Sequence, residues 1–267
     1  MTTKKCAFCQ TELGPQNKRG KEHVLRESML KKIDALHTMG DAQQTNGQKE
    51  LVGHRRHTLN QLLAGEVCQR CNNGWIDVVD RKVEDVIFLL ATGERGLESL
   101  TPEETINLSW WALKTVCTHH LTDEPSRRHI PMQIYAAAMA RKDFPPETLV
   151  IASTFSDLFG VGVASIAAWP IFPSSGNITV QPDEISFDPY GGSFKVAIQY
   201  RNFLILVAHL ENEKYTMVPD SDIHQYLLMS TCSYPIVSEL NFLEVPPFLG
   251  TLQVTAFCYP LALKPNL

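Results

Sequence analysis

Two Cys-x-x-Cys pairs stand near the start of this chain, Cys6-Ala-Phe-Cys9 and Cys68-Gln-Arg-Cys71. Each spacing fits a tight turn that aims two thiolates at one point. Two such turns together supply the four sulfurs of a tetrahedral zinc site. A site of that kind is closed: the ion staples the fold and leaves no position for substrate. The chain has seven cysteines, an odd number, and its polar start Met1–Lys5 is not followed by an apolar leader. In a reducing compartment, spaced pairs serve metals rather than disulfides. Cys117, Cys232 and Cys258 lie in apolar contexts and read as small buried hydrophobes.

Between the pairs runs Lys21-Glu22-His23-Val24, and directly behind the second pair runs Asn72-Asn73-Gly74-Trp75. In these residues the sequence resembles the HNH (ββα-metal) endonucleases whose treble-clef fold is held by two Cys-x-x-Cys knuckles. It looks closer still to a bacterial subgroup. Members of that subgroup read Cys-x-x-Cys, then Lys-Glu-His-Val, then Cys-x-x-Cys-Asn-Asn-Gly-Trp. They continue with a Trp-Ala-x-Lys-Thr helix, here Trp111-Ala112-Leu113-Lys114-Thr115. The resemblance covers Cys6 to about Leu121, less than half the chain. It implies that His23 is the general base and that Glu22 and Asn72 are ligands of a catalytic cation, magnesium or manganese, distinct from the zinc. The family more commonly has His where Asn72 stands. Its middle Asn, which orients the base, has its nearest counterpart in Asn60, farther from Cys68 than usual.

The implied chemistry is coherent. Phosphodiester hydrolysis needs an activated water, charge relief on the phosphate and help for the leaving oxygen. A neutral imidazole can take the water's proton near neutral pH. A hard divalent cation on a carboxylate and an amide oxygen supplies the rest. Lys21, Arg55 and Arg56 are candidate phosphate contacts, Arg being suited to bidentate contact. Trp75, Trp110 and Trp111 read as core rather than as stacking platforms for bases. His119 and His120 end a helix, where cations are favoured, and receive no catalytic role.

Charge is distributed in a way that fits a phosphate-facing N-terminal part. The chain of 267 residues carries a net −5. Up to Gly74 there are twelve Lys and Arg against seven Asp and Glu; the remainder holds twelve against twenty-two. A basic segment joined to an acidic one points to nucleic acid as the partner of the first. With 44% hydrophobic and 20% charged residues the composition is that of an ordinary globular protein, and no apolar run is long enough to span a membrane. A cytoplasmic location is expected.

The elements that must carry these groups follow from periodicity. Residues 28–39 suggest a short helix with Ser28 as cap and Leu30, Ile33 and Leu36 on its apolar side. Residues 40–50 read as a polar loop, and Leu51–Leu59 as a strand. Trp75, Val79, Val83, Val86 and Leu90 repeat at helical spacing up to Gly93. Thr101-Pro102-Glu103-Glu104 is a capping box, and Ile106, Trp110, Leu113, Cys117 and Leu121 line the next helix. Met132–Arg141 is a third helix. Beyond Pro145-Pro146 the segments LVIAST, GVGVASIAAW, NITV, FKVAIQY and NFLILVAHL are β-rich; Asp222–Met229 reads as a short helix and Thr251–Tyr259 as a last strand.

The expected fold class is therefore α+β. Residues 1–95 form an HNH-like zinc module, 96–146 a helical segment packed on it, and 147–267 a β-rich accessory domain. The expected function is metal-dependent cleavage of nucleic acid, DNA more than RNA, and a role in defence against phage or mobile DNA fits the family. The alternative is a zinc module with a decayed site that binds nucleic acid or a protein partner. The C-terminal part is the expected seat of any protein partner.

Overall fold

The knuckle-forming segments are too short and polar to fold by burial alone, and backbone hydrogen bonds tie them together instead. The computed structural model of the chain describes residues 4–45, 51–123, 128, 130–154, 160–165, 168–169, 186–187, 192–211, 215–219, 226–230 and 261–265. In the first knuckle Cys6 N donates to Thr11 O and Gln10 N to Cys6 O, and Gln10 takes a left-handed φ of 57° to leave the turn. Strand β1, Glu22–His23, pairs antiparallel with β4, Leu63–Ala64, and places His23 opposite Leu63. Helix α1, Glu27–Lys32, and the ribbon of β2, Met39–Thr45, with β3, Leu51–Thr58, fill the interval between them.

Two expectations for this interval are corrected. The helix stops at Lys32, because Asp34 turns left-handed at φ 53° and Ala35 N reaches back to Leu30 O. Ser28 lies inside it rather than at its cap, which is Arg26. The polar stretch after it is not a loop: Met39–Thr45 pairs with β3 as a strand, satisfying its backbone there although only Met39 and Ala42 in it are apolar.

After β4 the second knuckle opens the long helical part. Cys68 caps α2, Gln69–Cys71, its sulfur accepting from Cys71 N. One wide turn, Asn72–Ile76, follows, kinked at Gly74, and then α3, Asp77–Thr92, ends on the left-handed Gly93. The capping box of Thr101 and Glu104 starts α4, Pro102–His120. Helix α5 spans Met132–Ala140. Val79, Val83, Val86 and Leu90 are buried as expected, as are Trp110, Leu113, Cys117 and Leu121. Ile106, one turn before them on α4, is instead exposed.

The C-terminal half is built on β5, Thr148–Thr154, β6, Val161–Ser165, and the short pair β7, Ala168–Trp169, and β8, Ser186–Phe187. It continues with β9, Phe194–Tyr200, β10, Phe203–His209, β11, Tyr215–Pro219, β12, Tyr226–Ser230, and β13, Leu261–Pro265. Five of these form one antiparallel sheet in the order β12-β5-β10-β9-β6. The helix expected at Asp222–Met229 is corrected: Tyr226–Ser230 is β12, paired along β5, since a central apolar strand offers it a ladder partner. The NITV segment, Thr251–Tyr259, Cys232 and Cys258 lie outside the described residues. The fold is thus mixed helix and antiparallel sheet, as the α+β reading required.

One hydrophobic core joins the two halves. Val150 and Ala152 of β5, Val196, Ile198 and Tyr200 of β9, and Phe203, Ile205 and Val207 of β10 belong to the same buried cluster as Val83, Leu90, Trp111 and the cysteine knuckles. At the β9–β10 turn, Asn202 N donates to Ala91 O of α3 at 3.3 Å and the Arg201 guanidinium donates to Ile33 O behind α1. The sheet therefore backs the helices that form the site.

Candidate functional site

The four paired cysteines converge. Their Sγ atoms all lie within 4.8 Å of one another, with Cys6–Cys71 at 3.8 Å and Cys9–Cys68 at 3.7 Å. Sulfurs at about 2.3 Å from a tetrahedral centre are about 3.8 Å apart, so the spacing fits a zinc ion. Cys68 N points at Cys6 Sγ and Cys71 N at Cys68 Sγ, both at 3.4 Å, which favours thiolates. The crowding is visible in acidity: Cys6 is pushed down to about 4, chiefly by its contact with the Cys71 thiol, which is pushed up in turn. Cys117 is buried apart from this group, as a core residue should be.

A cleft of about 610 Å³ opens beside the second knuckle, between β1, the start of α1 and the first turns of α3. Its lining includes Lys21, Glu22, His23, Asn72 and Arg26, with Asp77, Asp80 and Arg81 across from them. His23 is half-exposed in it, and its Nδ1 is buried without a hydrogen-bond partner among the described residues. Asn72 is brought there by close backbone approach. A Cβ at Gly20 would stand 2.9 Å from Asn72 Nδ2 and 3.0 Å from its Cβ, so a larger residue there would push the Asn72 side chain aside.

Neighbouring residues of a strand point to opposite sides, and Glu22, next to the half-exposed His23, lines the cleft from a buried position. It is 4% exposed, and its Oε1 lies 3.5 Å from Nζ of Lys114, which comes from α4 and is itself 1% exposed. Lys114 makes its tighter contact, 2.7 Å, with Asp80 of α3. Burial pushes Glu22 up to about 7, Lys114 working against the rise and Asp80 adding to it. Burial alone would depress Lys114; the two carboxylates outweigh it and hold the ammonium above its ordinary value. Arg26 closes the other side of Asp80 at 3.6 Å and also meets Asp77 at 2.9 Å and Glu84 at 3.3 Å.

No family model matches this chain. Searches of curated proteins and of solved structures also return no match. The functional reading therefore rests on the residues and their arrangement.

Of the residues singled out in the sequence, the structure brings Lys21, Glu22, His23 and Asn72 into one cleft. It does not bring Asn60 there. Asn60 sits in the turn before β4, where its Oδ1 accepts from the Thr58 hydroxyl at 2.5 Å. Arg55 and Arg56 lie opposite Ala42 and Asp41 in the β2–β3 ribbon, and Arg56 is not among the residues that line the cleft. Trp75 stacks edge-on against Phe8 at 5.0 Å, and Trp110 and Trp111 are buried, as a core role required.

Sequence reasoning missed Asp80, Arg26 and Gly20, and assigned Lys114 no role. A signal existed for two of them. Lys114 falls in phase with Trp110, Leu113 and Cys117, and Asp80 with Ile76, Val83 and Ile87, so both are charges on buried helix faces. Charges in such positions are rare unless paired.

Among the described residues no helix is long and apolar enough to cross a membrane.

Proposed function

We propose that this chain is an HNH-type endonuclease that hydrolyses phosphodiester bonds of nucleic acid, DNA rather than RNA. The observation that carries the reading is the meeting of His23, Glu22 and Asn72 in one cleft that begins one residue after the cysteine cluster. The element order supports it: a strand ending in His23, an antiparallel partner, then a helix that starts at the second knuckle is the ββα order of that family. The cysteines serve as the structural zinc site of a treble clef.

His23 acts as general base. Its ring lines the cleft and is half-exposed, so a water molecule can reach it and be deprotonated for attack on phosphorus. Lys21, exposed at the cleft edge, neutralises substrate phosphate. Glu22 and Asn72 fit a hard cation in kind: both line the cleft and both carry side-chain oxygens. Lys114 makes its longer contact, 3.5 Å, with Glu22 and its tighter one, 2.7 Å, with Asp80. Magnesium or manganese bound there would relieve charge on the phosphate and the leaving oxygen.

A second reading, a zinc module that binds nucleic acid without cutting it, is favoured by one observation. Among the described residues none hydrogen-bonds His23 Nδ1, and Asn60 is held by Thr58. Plasmid nicking with added magnesium or manganese separates the two. His23→Ala is expected to lower the nicking rate about 10² to 10⁴-fold while zinc content and melting temperature stay unchanged. Equal nicking by His23→Ala and the unmodified protein refutes the assignment, and no nicking by either supports the binding module.

A further inference from the structure

The cations around the cleft fall into two groups. Those on the helices have acidic partners: Arg26 with Asp77, Lys31 with Glu27 at 2.7 Å, Lys32 with Asp85 at 2.7 Å, Arg81 with Asp77 at 2.8 Å, and Lys114 with Asp80. Those on the segment entering the cleft, and Arg70 of the short α2, have none among the described residues. Lys18, Arg19, Lys21 and Arg70 are all exposed, and among the described residues none of them makes an ion pair or a side-chain hydrogen bond. Glu66, close by in sequence to the second knuckle, is committed to Arg128 at 2.7 Å.

Backbone pairing places the four together. Arg19 bridges Cys68, Gly20 N donates to Val67 O at 2.7 Å, and Gln69 N donates to Lys18 O at 2.9 Å. The 18–20 segment thus lies alongside 67–69, with Arg70 in the next turn and Lys21 at the cleft beside His23. Four like charges on adjoining segments repel one another, a cost that an anionic partner removes. An apolar protein-binding surface is a poor fit: the exposed large hydrophobics Met39, Leu63, Val78, Ile106 and Met132 all lie outside these segments, whereas the centre of a protein interface is apolar. An extended run of four residues spans roughly 10 Å. That matches about three steps of 3.4 Å along one strand of a duplex.

We propose that Lys18, Arg19, Lys21 and Arg70 form a phosphate track that binds the backbone of duplex DNA and leads one strand to His23. The track deepens the nuclease reading for its direction toward His23, but its binding is measured without cleavage. The experiment is fluorescence anisotropy with the zinc-loaded full chain, no added divalent cation, and a labelled DNA duplex of about 20 base pairs, titrated across salt. Each phosphate contact contributes about 0.9 to the slope of log K against log salt on duplex DNA. Lys18→Gln/Arg19→Gln/Arg70→Gln is therefore expected to lower the slope by about 2.7, so that between about 50 and 200 mM salt its affinity falls about 40-fold less than that of the unmodified chain. Lys82→Gln/Lys142→Gln, at exposed cations elsewhere, is the control and should change the slope by less than about 1.

An unchanged slope in the triple variant overturns the track, as does an equal loss in the control. Tighter binding to the matching single strand or to an RNA duplex overturns the choice of duplex DNA. The two readings fail separately. Binding with the expected slope but no nicking removes the nuclease and leaves the track. Nicking with an unaltered slope in the triple variant does the reverse.

Discussion

Replacing Lys114 by Met removes the ammonium that two buried carboxylates share. Lys114 is 1% exposed, and Glu22 and Asp80 are each 4% exposed, so neither carboxylate can turn to water without opening the helices. Breaking a buried pair by deleting one partner costs about 3–5 kcal/mol, mostly from the charge left behind. For a chain of this size each kcal/mol moves the melting temperature by about 2–4 °C. The Lys114→Met protein should therefore melt roughly 10 °C lower than the unmodified one, followed by circular dichroism at equal zinc content. Adding Asp80→Asn removes the nearer stranded charge, 2.7 Å from the lost ammonium, and should recover at least half of the loss. The remaining Glu22, already pushed up to about 7, can take a proton instead. A Lys114→Met protein melting within about 2 °C of the unmodified one, against the 6 °C or more implied above, would mean that Lys114 is hydrated and that this cluster is not the floor of the cleft. A double variant less stable than the single would refute the charge argument itself.

Three further outcomes are expected. Cys68→Ser should lose zinc and unfold the N-terminal half, since structural zinc contributes on the order of 10 kcal/mol in small zinc modules; elemental analysis finding no zinc in the native protein would sink the site. Glu22 sits at about 7 when folded against an ordinary 4.5, so between those values the folded state holds a proton that the unfolded state has released. Its contribution to stability is present at low pH and is lost as pH rises toward 7, by roughly 3 kcal/mol over about 2.5 pH units. Glu22→Gln should abolish that decline, and parallel stability–pH profiles for the two proteins would count against it. The boundary expected at Pro145-Pro146 is tested by expressing residues 147–267 alone. The fragment should lack cooperative unfolding, because Val150, Ile198, Tyr200 and Phe203 bury against the helices, and a sharp transition would show that the sheet folds by itself.

The sequence by itself determined the parts whose signal is local. Two Cys-x-x-Cys turns place their sulfurs by bond geometry, so the cluster was legible from spacing. The Thr101 capping box and the apolar repeat of Val79, Val83, Val86 and Leu90 marked their helices because capping and periodicity act within a few residues. Density of β-branched and aromatic residues likewise marked β5, β9 and β10.

Tertiary structure decided what depends on partners far away in the chain. Met39–Thr45 has no strand signal of its own and is a strand only because β3 lies beside it; Tyr226–Ser230 is a strand because β5 is there to pair with it. Nothing in the sequence paired Glu22 with Lys114, which comes from a distant helix to stand 3.5 Å from it. Asn60 was the nearest asparagine in sequence to the expected place, yet Thr58 holds it away from His23. Which charges pair, and so which of Arg26, Arg81, Lys18 and Arg70 remain free for phosphate, is set by distances of a few ångströms that spacing along the chain does not encode.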